Sequence, residues 1–381
     1  MTALHPKIAL VHDYVKEFGG AERVLLILSE MFPHAPVYTA FSVPGSTFAK
    51  ALSGKKVVTS WANFFLRWGN LHSPFRFLIP LLWPSFDFRA FDIVISSASG
   101  YMPEGISVSP KTLHLCYCHT PPRWLYNYST SIGFKKYLPV KIYGILVGHF
   151  LRIFDFQWAQ KVDLFIANSK NVQARINKFY RRSSSVIYPP VEVNGIKQAT
   201  IGLKPDNFYL IVSRIVGGKG LELAVKAASL TGVPLKIIGE RFGLSTEFEN
   251  LQRISGGNVQ FLGRLPDTQM WNYLGRCKAF LALATDEDFG VTPVEAMAAG
   301  RPVIAFAGGG YLETVVDGKT GVFFKENSVD SLISAMKRLD KLAIKPQDCR
   351  QQAMRFSKER FIKEMDHFVK NSWRTFHAGT S

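Results

Sequence analysis

The sequence predicts an α/β protein of two doubly wound domains, and three observations predict it. Short β-branched runs alternate with stretches of helical period, the alternation stops at Tyr188-Pro189-Pro190 and starts afresh near Phe208, and glycine-rich turns follow several of the apolar runs. A length of 381 residues suits two domains, each able to bury a full core. With 47% hydrophobic and 20% charged residues, the chain is far from the low-hydrophobicity, high-charge composition of disorder.

In the first half, residues 7–11, 37–41, 92–96, 112–118, 163–168 and 185–188 each read as a buried parallel strand. Residues 21–31 carry Val24, Leu25, Leu28 and Met31 at helical spacing, and 172–179 behave likewise after Ser169, a natural cap. Two prolines in succession at 189 and 190 stop the last strand, and 191–206 read as a linker. The second series places strands at 208–213, 235–239, 259–262, 279–283 and 303–306, with helices at 221–229 and 293–299 between them. Beyond Val329 the pattern is helical to the end, without internal repeats or low-complexity segments.

Composition narrows the function classes. Four cysteines are too few for a disulfide scaffold, and Cys116 and Cys118 have no second pair at zinc-ligand spacing, so a reducing cytoplasm is expected. Residues 1–6 lack a leader's apolar stretch and no run approaches 18 apolar residues, so neither secretion by that route nor a membrane span is expected. The net charge of +17 is uneven: residues 1–190 hold 21 Lys and Arg against 9 Asp and Glu, whereas 191–381 hold 25 against 20. The same first half is crowded with aromatics, from Trp61, Phe64, Phe65 and Trp68 to Phe91, and again over 134–158. There Lys135, Lys136, Lys141 and Arg152 stand among Tyr137, Ile142, Tyr143, Ile145, Leu146, Phe150, Leu151 and Phe154, with Pro139 and Gly144 expected to interrupt any single helix. Such stretches either fill a core or face an anionic membrane surface. Nucleic acid is disfavoured as a partner, since the cations are scattered singly or in pairs and no binding motif accompanies them.

Two open α/β sheets imply a ligand at the carboxyl ends of the strands, in a cleft between the domains, and four turns mark where. Gly19-Gly20, between the first strand and first helix, lets backbone N–H groups approach a phosphate, or is simply a tight strand-to-helix turn. It is not Gly-x-Gly-x-x-Gly, which weakens a dinucleotide fold. The turn after the first strand of the second half carries Arg214, able to grip a diphosphate bidentately, and Lys219, a point charge. Gly220 follows that lysine where a Walker motif needs Ser or Thr, so a P-loop nucleotidase is disfavoured. The third turn runs Asp286-Glu287-Asp288-Phe289-Gly290-Val291-Thr292-Pro293-Val294-Glu295, with one glutamate in the loop and another on the helix that Gly290 opens. Gly308-Gly309-Gly310, with Glu313 after it, closes the same face. Asp286 and Asp288 could hold a metal, but the cations nearby already offset a diphosphate, and both acids are read as loop and helix-terminus electrostatics.

Glu287 with Glu295, the embedded Phe289-Gly290, the Arg214 and Lys219 pair, and Gly308-Gly309-Gly310-Tyr311-Leu312-Glu313 resemble family-4 retaining glycosyltransferases of the glycosyltransferase-B fold, over essentially the whole chain. The resemblance implies two Rossmann-like domains facing across a cleft: an acceptor domain at 1–190, joined by a C-terminal helix at about 357–381 that crosses back to it, and a nucleotide-sugar domain at 191–356. It implies that Glu287 contacts the transferred hexose and Glu295 the ribose, and that Arg214 and Lys219 hold the donor diphosphate. By the same resemblance Phe289, Gly290 and Val291 line the donor, Gly19 and Gly20 close over it, and His119 in Tyr117-Cys118-His119-Thr120-Pro121-Pro122-Arg123-Trp124 is the active-site histidine. Within the family, His12-Asp13-Tyr14 through Arg23, together with 119–124, looks like bacterial mannosyltransferases of surface-polysaccharide assembly, so GDP-mannose is the expected donor and a lipid-linked or saccharide chain the acceptor. A UDP-sugar transferase, an epimerase on the same fold and a non-catalytic binding module are the alternatives. No cofactor and no metal are expected, and the expected location is peripheral, on the inner face of the cytoplasmic membrane.

Overall fold

A computed structural model describes residues 6–68, 73–126, 128, 138–241 and 246–378, without the side chains of 139 and 140. Among these, one compact unit takes residues up to 190 together with 361–378, and a second takes 191–360.

The first unit is built on a seven-stranded parallel sheet. In chain order its strands are β1 (Ile8–His12), β2 (Val37–Thr39), β3 (Val57–Thr59), β4 (Ile93–Ala98), β5 (Leu113–Cys118), β6 (Leu164–Ala167) and β7 (Ser184–Val186), arranged β3-β2-β1-β4-β5-β6-β7. Successive side chains go to opposite faces, so Leu10, Ile93 and Ile95 enter one core layer while Ala9, Val11 and Val94 enter the other. The second unit holds six parallel strands: β8 (Tyr209–Val212), β9 (Leu235–Ile238), β10 (Val259–Gly263), β11 (Ala279–Ala282), β12 (Val303–Phe306) and β13 (Gly321–Phe324), arranged β10-β9-β8-β11-β12-β13. In both sheets the order reverses at one place, between β1 and β4 and between β8 and β11. A crevice opens there at the carboxyl ends of the strands.

The C-terminal helix, Lys358–Ala378, contributes Phe361, Met365 and Val369 to the first unit's core, four residues apart on one face. Phe361 meets Tyr117 edge-on with ring centroids 5.9 Å apart. Each such buried side chain is worth about 1.5–3 kcal/mol, so this helix is held by its apolar stripe.

Two expectations are corrected. Residues 191–206 are not a linker, because Val193–Thr200 is a helix. The Glu192 carboxylate accepts from the Gly195 N–H at 3.4 Å, capping it, and Val193, Ile196 and Thr200 are buried. Pro139 and Gly144 do not interrupt Leu138–Ala159, which is one helix of 22 residues. Pro139 falls in the first turn, where no N–H is required, and Gly144 sits on an open surface.

Candidate active site

In the second unit the site residues gather where β8 and β11 lie side by side. Gly220, at φ +71°, caps the helix Leu221–Thr231 and packs so closely on the end of β11 that a Cβ there would stand 2.5 Å from Leu283 Cβ and 2.7 Å from its carbonyl oxygen. Only glycine allows this approach. It brings Lys219 to the loop after β11, where Lys219 Nζ donates to Glu287 Oε2 at 2.7 Å. Both side chains remain partly open to solvent, as a ligand site requires. Arg214, on the same β8 turn, is exposed.

The three glycines after β12 press flat on the Glu287 loop. A Cβ on Gly309 would lie 2.3 Å from the Glu287 carbonyl oxygen, and one on Gly310 would lie 2.4 Å from Phe289 Cα. The Gly310 N–H donates to that Glu287 carbonyl at 2.9 Å, fixing the loop from behind. Gly290, at φ +89°, turns the chain into the helix Val291–Ala298, with the Tyr311 ring filling the space a side chain would need. The first N–H groups of that helix have no intrahelical acceptor, and Pro293 lies within the same turn, where its missing N–H costs nothing. Glu295 is 2% exposed on this helix, whereas Glu287 stands in the loop, so the two glutamates address different depths of one crevice. Phe289 points away, its buried ring edge-on to Phe356 at 5.3 Å, so its contribution to the site is backbone. Asp286 and Asp288 are half-buried in the loop. Among the described residues no group of three or more His, Cys, Asp and Glu side chains is arranged to hold a metal ion.

In the first unit the Gly19-Gly20 turn opens the helix Gly20–Met31, and the Gly19 N–H donates to Glu22 Oε2 at 3.0 Å. His119 directly follows β5, with its N–H on the Ala98 carbonyl at 2.8 Å and its Nε2 2.8 Å from Ser97 Oγ. Burial, with His12 nearby, pushes its pKa down to about 3. The sequence marks His12 and Asp13 only as part of a resembling stretch, with no role, and does not mark Ser97 at all. The β1–β4 register pairs His12 with Ser97, and their side chains meet at 3.1 Å across the reversal point. Asp13 is buried beside them, accepting from Ser99 Oγ and, at 3.3 Å each, from the N–H groups of Ser99 and Tyr101.

The aromatics of the first unit divide. Trp83 and Phe88 are fully buried, whereas Trp61, Phe64, Phe65 and Trp68 are each more than half exposed. The helix Leu138–Ala159 carries two apolar stripes: Leu151 and Trp158 enter the core, while Leu138, Ile142, Ile145, Leu146, Phe150 and Ile153 lie open along the other side. Tyr143 donates to the Pro74 carbonyl and Trp61 Nε1 to the Leu81 carbonyl at 3.4 Å, tying this helix to the 74–78 segment and Trp61 to the 79–82 segment. Lys135, Lys136 and Tyr137 lie outside the described residues. Among the described residues no helix is long and apolar enough to cross a membrane.

Residues 196–356 match the family model described as glycosyl transferases group 1. The chain is 24% identical over 373 residues to the alpha-1,3/1,6-mannosyltransferase ALG2 of Dictyostelium discoideum, covering 84% of each protein. It is 27% identical over 368 residues to ALG2 of Saccharomyces cerevisiae, covering 81% of this chain and 71% of that one. The lipopolysaccharide core biosynthesis mannosyltransferase LpcC of Rhizobium leguminosarum bv. viciae shares 36% identity over 78 residues, 20% of this chain and 22% of the relative. Among solved structures, Anabaena HepE in complex with UDP-glucose matches with a TM-score of 0.69 at 18% identity, over 96% of this chain and all of that one. That likeness, with the two doubly wound sheets, is the glycosyltransferase-B fold. The protein is a glycosyltransferase, and its residues 196–356 match the model of the glycosyl transferases group 1 family.

Proposed function

We propose that this transferase moves a mannosyl residue from GDP-mannose to a lipid-linked or saccharide acceptor, with retention of configuration and without a metal ion, while docked on an anionic membrane surface at the inner face of the cytoplasmic membrane. The second unit takes the donor and the first the acceptor. The observation that carries the chemistry is the contact between Lys219 and Glu287, 2.7 Å apart where the strand order reverses. Relatives named as mannosyltransferases support the choice of sugar.

The roles follow from charge. As the bond from the anomeric carbon to the diphosphate oxygen breaks, its electron pair stays on that oxygen and negative charge grows there. Lys219 has three donors, so it can serve Glu287 and a phosphate oxygen together, and Arg214 adds a planar fork. The N–H groups opening the helix at Gly290 and Val291 add a third source of stabilisation that needs no reorganisation during reaction. Glu287 accepts hexose hydroxyls and Glu295 the ribose. The acceptor oxygen attacks from the side the diphosphate leaves, and its proton passes to the departing phosphate. His119, in the first unit, takes a hydrogen bond from a sugar hydroxyl, and the Gly19-Gly20 turn closes on the diphosphate.

Docking rests on the open apolar faces of Trp61, Phe64, Phe65 and Trp68 and of the helix Leu138–Ala159, set in the unit where Lys and Arg outnumber acids most. An exposed apolar area of this extent marks an interaction site.

Thermal shift with GDP-mannose, UDP-glucose and ADP-glucose tests the donor, since a ligand at 100 times its dissociation constant adds about 2.7 kcal/mol. Stabilisation by GDP-mannose alone is expected. Stabilisation confined to UDP-glucose moves the donor to uridine. Transfer is expected to persist in excess EDTA, and complete loss restored by magnesium or manganese makes Asp286 and Asp288 ligands.

A further inference from the structure

The buried polar groups at the β1–β4 reversal form a chain with a definite direction. It runs from the Gly19 N–H to Glu22 Oε2 at 3.0 Å, from His12 Nδ1 to Ser97 Oγ at 3.1 Å and from Ser97 Oγ to His119 Nε2 at 2.8 Å, while Glu22 Oε1 faces His12 Nε2 across 3.8 Å, close enough for charge to act but not for a hydrogen bond. His12 and Ser97 are 0% and 1% exposed, so water does not compete for these contacts. A carboxylate facing His12 Nε2 repels a lone pair there and favours a proton, which leaves His12 Nδ1 bare in the neutral ring. Ser97 must then donate its single hydroxyl proton to His12 Nδ1. Its oxygen is left to accept from His119 Nε2–H. Burial keeps the His119 ring neutral, so the proton on Nε2 leaves Nδ1 as a lone pair, and no protein group among the described residues bonds to that nitrogen.

We infer that Ser97 and His12 are positioning residues of the transfer reaction, locking His119 in the Nε2–H tautomer so that its bare Nδ1 accepts a hydrogen bond from a sugar hydroxyl. The inference deepens the reading of His119 as a catalytic residue and rests on it for its effect on rate. The same chain anchors the first N–H of the Gly19-Gly20 turn, so one network holds both features of this unit that the reaction uses. A neighbouring pair shows that burial against a serine does not by itself make such a chain. Ser96 Oγ lies 2.9 Å from His114 Nε2 on the opposite face of β4, with no second histidine or glutamate in series among the described residues.

The test is a long-range proton–nitrogen correlation spectrum of the full chain with nitrogen-15-labelled histidine, at pH 7.5, with His119 assigned by its loss in His119→Ala. The wild type is expected to show the Nε2–H pattern for His119. In Ser97→Ala the ring is expected to become a mixture of tautomers, with kcat falling about tenfold, the value of one hydrogen bond, and KM for the donor moving less than twofold. Ser97→Thr, which keeps the hydroxyl, is expected to restore both. An Nδ1–H pattern in the wild type overturns the inference even where Ser97→Ala does not fold. So does a Ser97→Ala protein with unchanged tautomer and rate. Full transfer by His119→Ala, beside the expected wild-type spectrum, removes the catalytic reading of His119 while leaving the tautomer lock in place.

Discussion

The two units share a sheet plan and differ in what they leave outside. In the first, the large apolar side chains left open include Trp61, Phe64, Phe65, Trp68 and Phe150, along with the stripe on the helix Leu138–Ala159. In the second, those left open among the described residues are scattered aliphatics and one methionine: Ile201, Leu230, Ile254, Leu312, Val316 and Met354. Surface charges of the second unit meet partners, as Arg276 does with Asp206, Arg338 with Asp317 and Lys278 with Asp340, each within 2.8 Å. The first half of the chain has less than half as many acids as cations. Surface pairs contribute little to stability. On the proposed reading the contrast concerns partners: the first unit carries exposed aromatics and an excess of positive charge, as an anionic apolar boundary would require, and the second does not.

The sharpest separation within the second unit is between its glutamates. Glu287→Ala is expected to abolish transfer with a modest effect on nucleotide binding, while Glu295→Ala weakens nucleotide binding by roughly tenfold to a hundredfold, the loss of a buried charge-assisted hydrogen bond of about 1.5–3 kcal/mol. Calorimetric titration with GDP beside a transfer assay checks this, and equal losses of affinity in both variants contradict it. Next in size, Gly310→Ala forces a methyl onto the Phe289 backbone. It is expected to cost about 1–3 kcal/mol and to depress donor affinity by moving the Glu287 loop, as read by chemical denaturation and the same titration.

A smaller effect distinguishes the first unit. Glu104 and Asp155 are both fully buried, and Tyr126 and Tyr180 donate to Asp155 at 2.5 and 3.1 Å. Burial, with the neighbouring Asp155, pushes Glu104 well above the usual carboxylate range, and burial raises Asp155 to about 6. For acids with raised folded-state values the folded chain holds protons that the unfolded chain releases, so the stabilisation is complete below the ordinary carboxylate range and is lost as pH rises, through about 6 for Asp155 and through the raised range of Glu104. His114 and His119, held down to about 3 by burial, act in the opposite direction below their ordinary range. The difference between wild type and Glu104→Gln isolates the carboxyl pair. Its melting temperature is expected to fall less than that of the wild type between pH 5.5 and 8, and parallel profiles contradict the assignment. Smallest of all, Gly144→Ala on the open side of its helix is expected to stabilise the chain by about 0.5–1 kcal/mol, measurable by urea unfolding.

Much of this was legible in the sequence, for identifiable reasons. Central strands such as β1 and β11 are near-continuous apolar runs, as parallel strands buried on both faces tend to be, and β4 opens with one at Ile93-Val94-Ile95. β3 and β13 were missed, the first because Val57–Thr59 has only three residues, the second because it is a four-residue strand that Gly321 opens. The helix at Val193–Thr200 was hidden by Gly195 and the prolines before it, although Val193, Ile196 and Thr200 keep helical spacing. The glycine turns of the second unit announced their place because close backbone approach demands glycine. Nothing local announced Ser97. Its importance comes from standing beside His12 in a register that no single stretch of sequence contains.

Flotation with vesicles tests the contrast between the units most directly. The full chain is expected to rise with anionic vesicles at low salt, to bind less at high salt, where exposed charges are screened, and to bind neutral vesicles weakly. Basic residues near an anionic surface contribute about 1 kcal/mol each. The triple variant Phe64→Ser, Phe65→Ser, Trp68→Ser is expected to lose flotation while its melting temperature and GDP-mannose affinity hold, and Leu230→Ser in the second unit is expected to change nothing. Failure of the wild type to associate with anionic vesicles at low salt, or full flotation by the triple variant, contradicts the account.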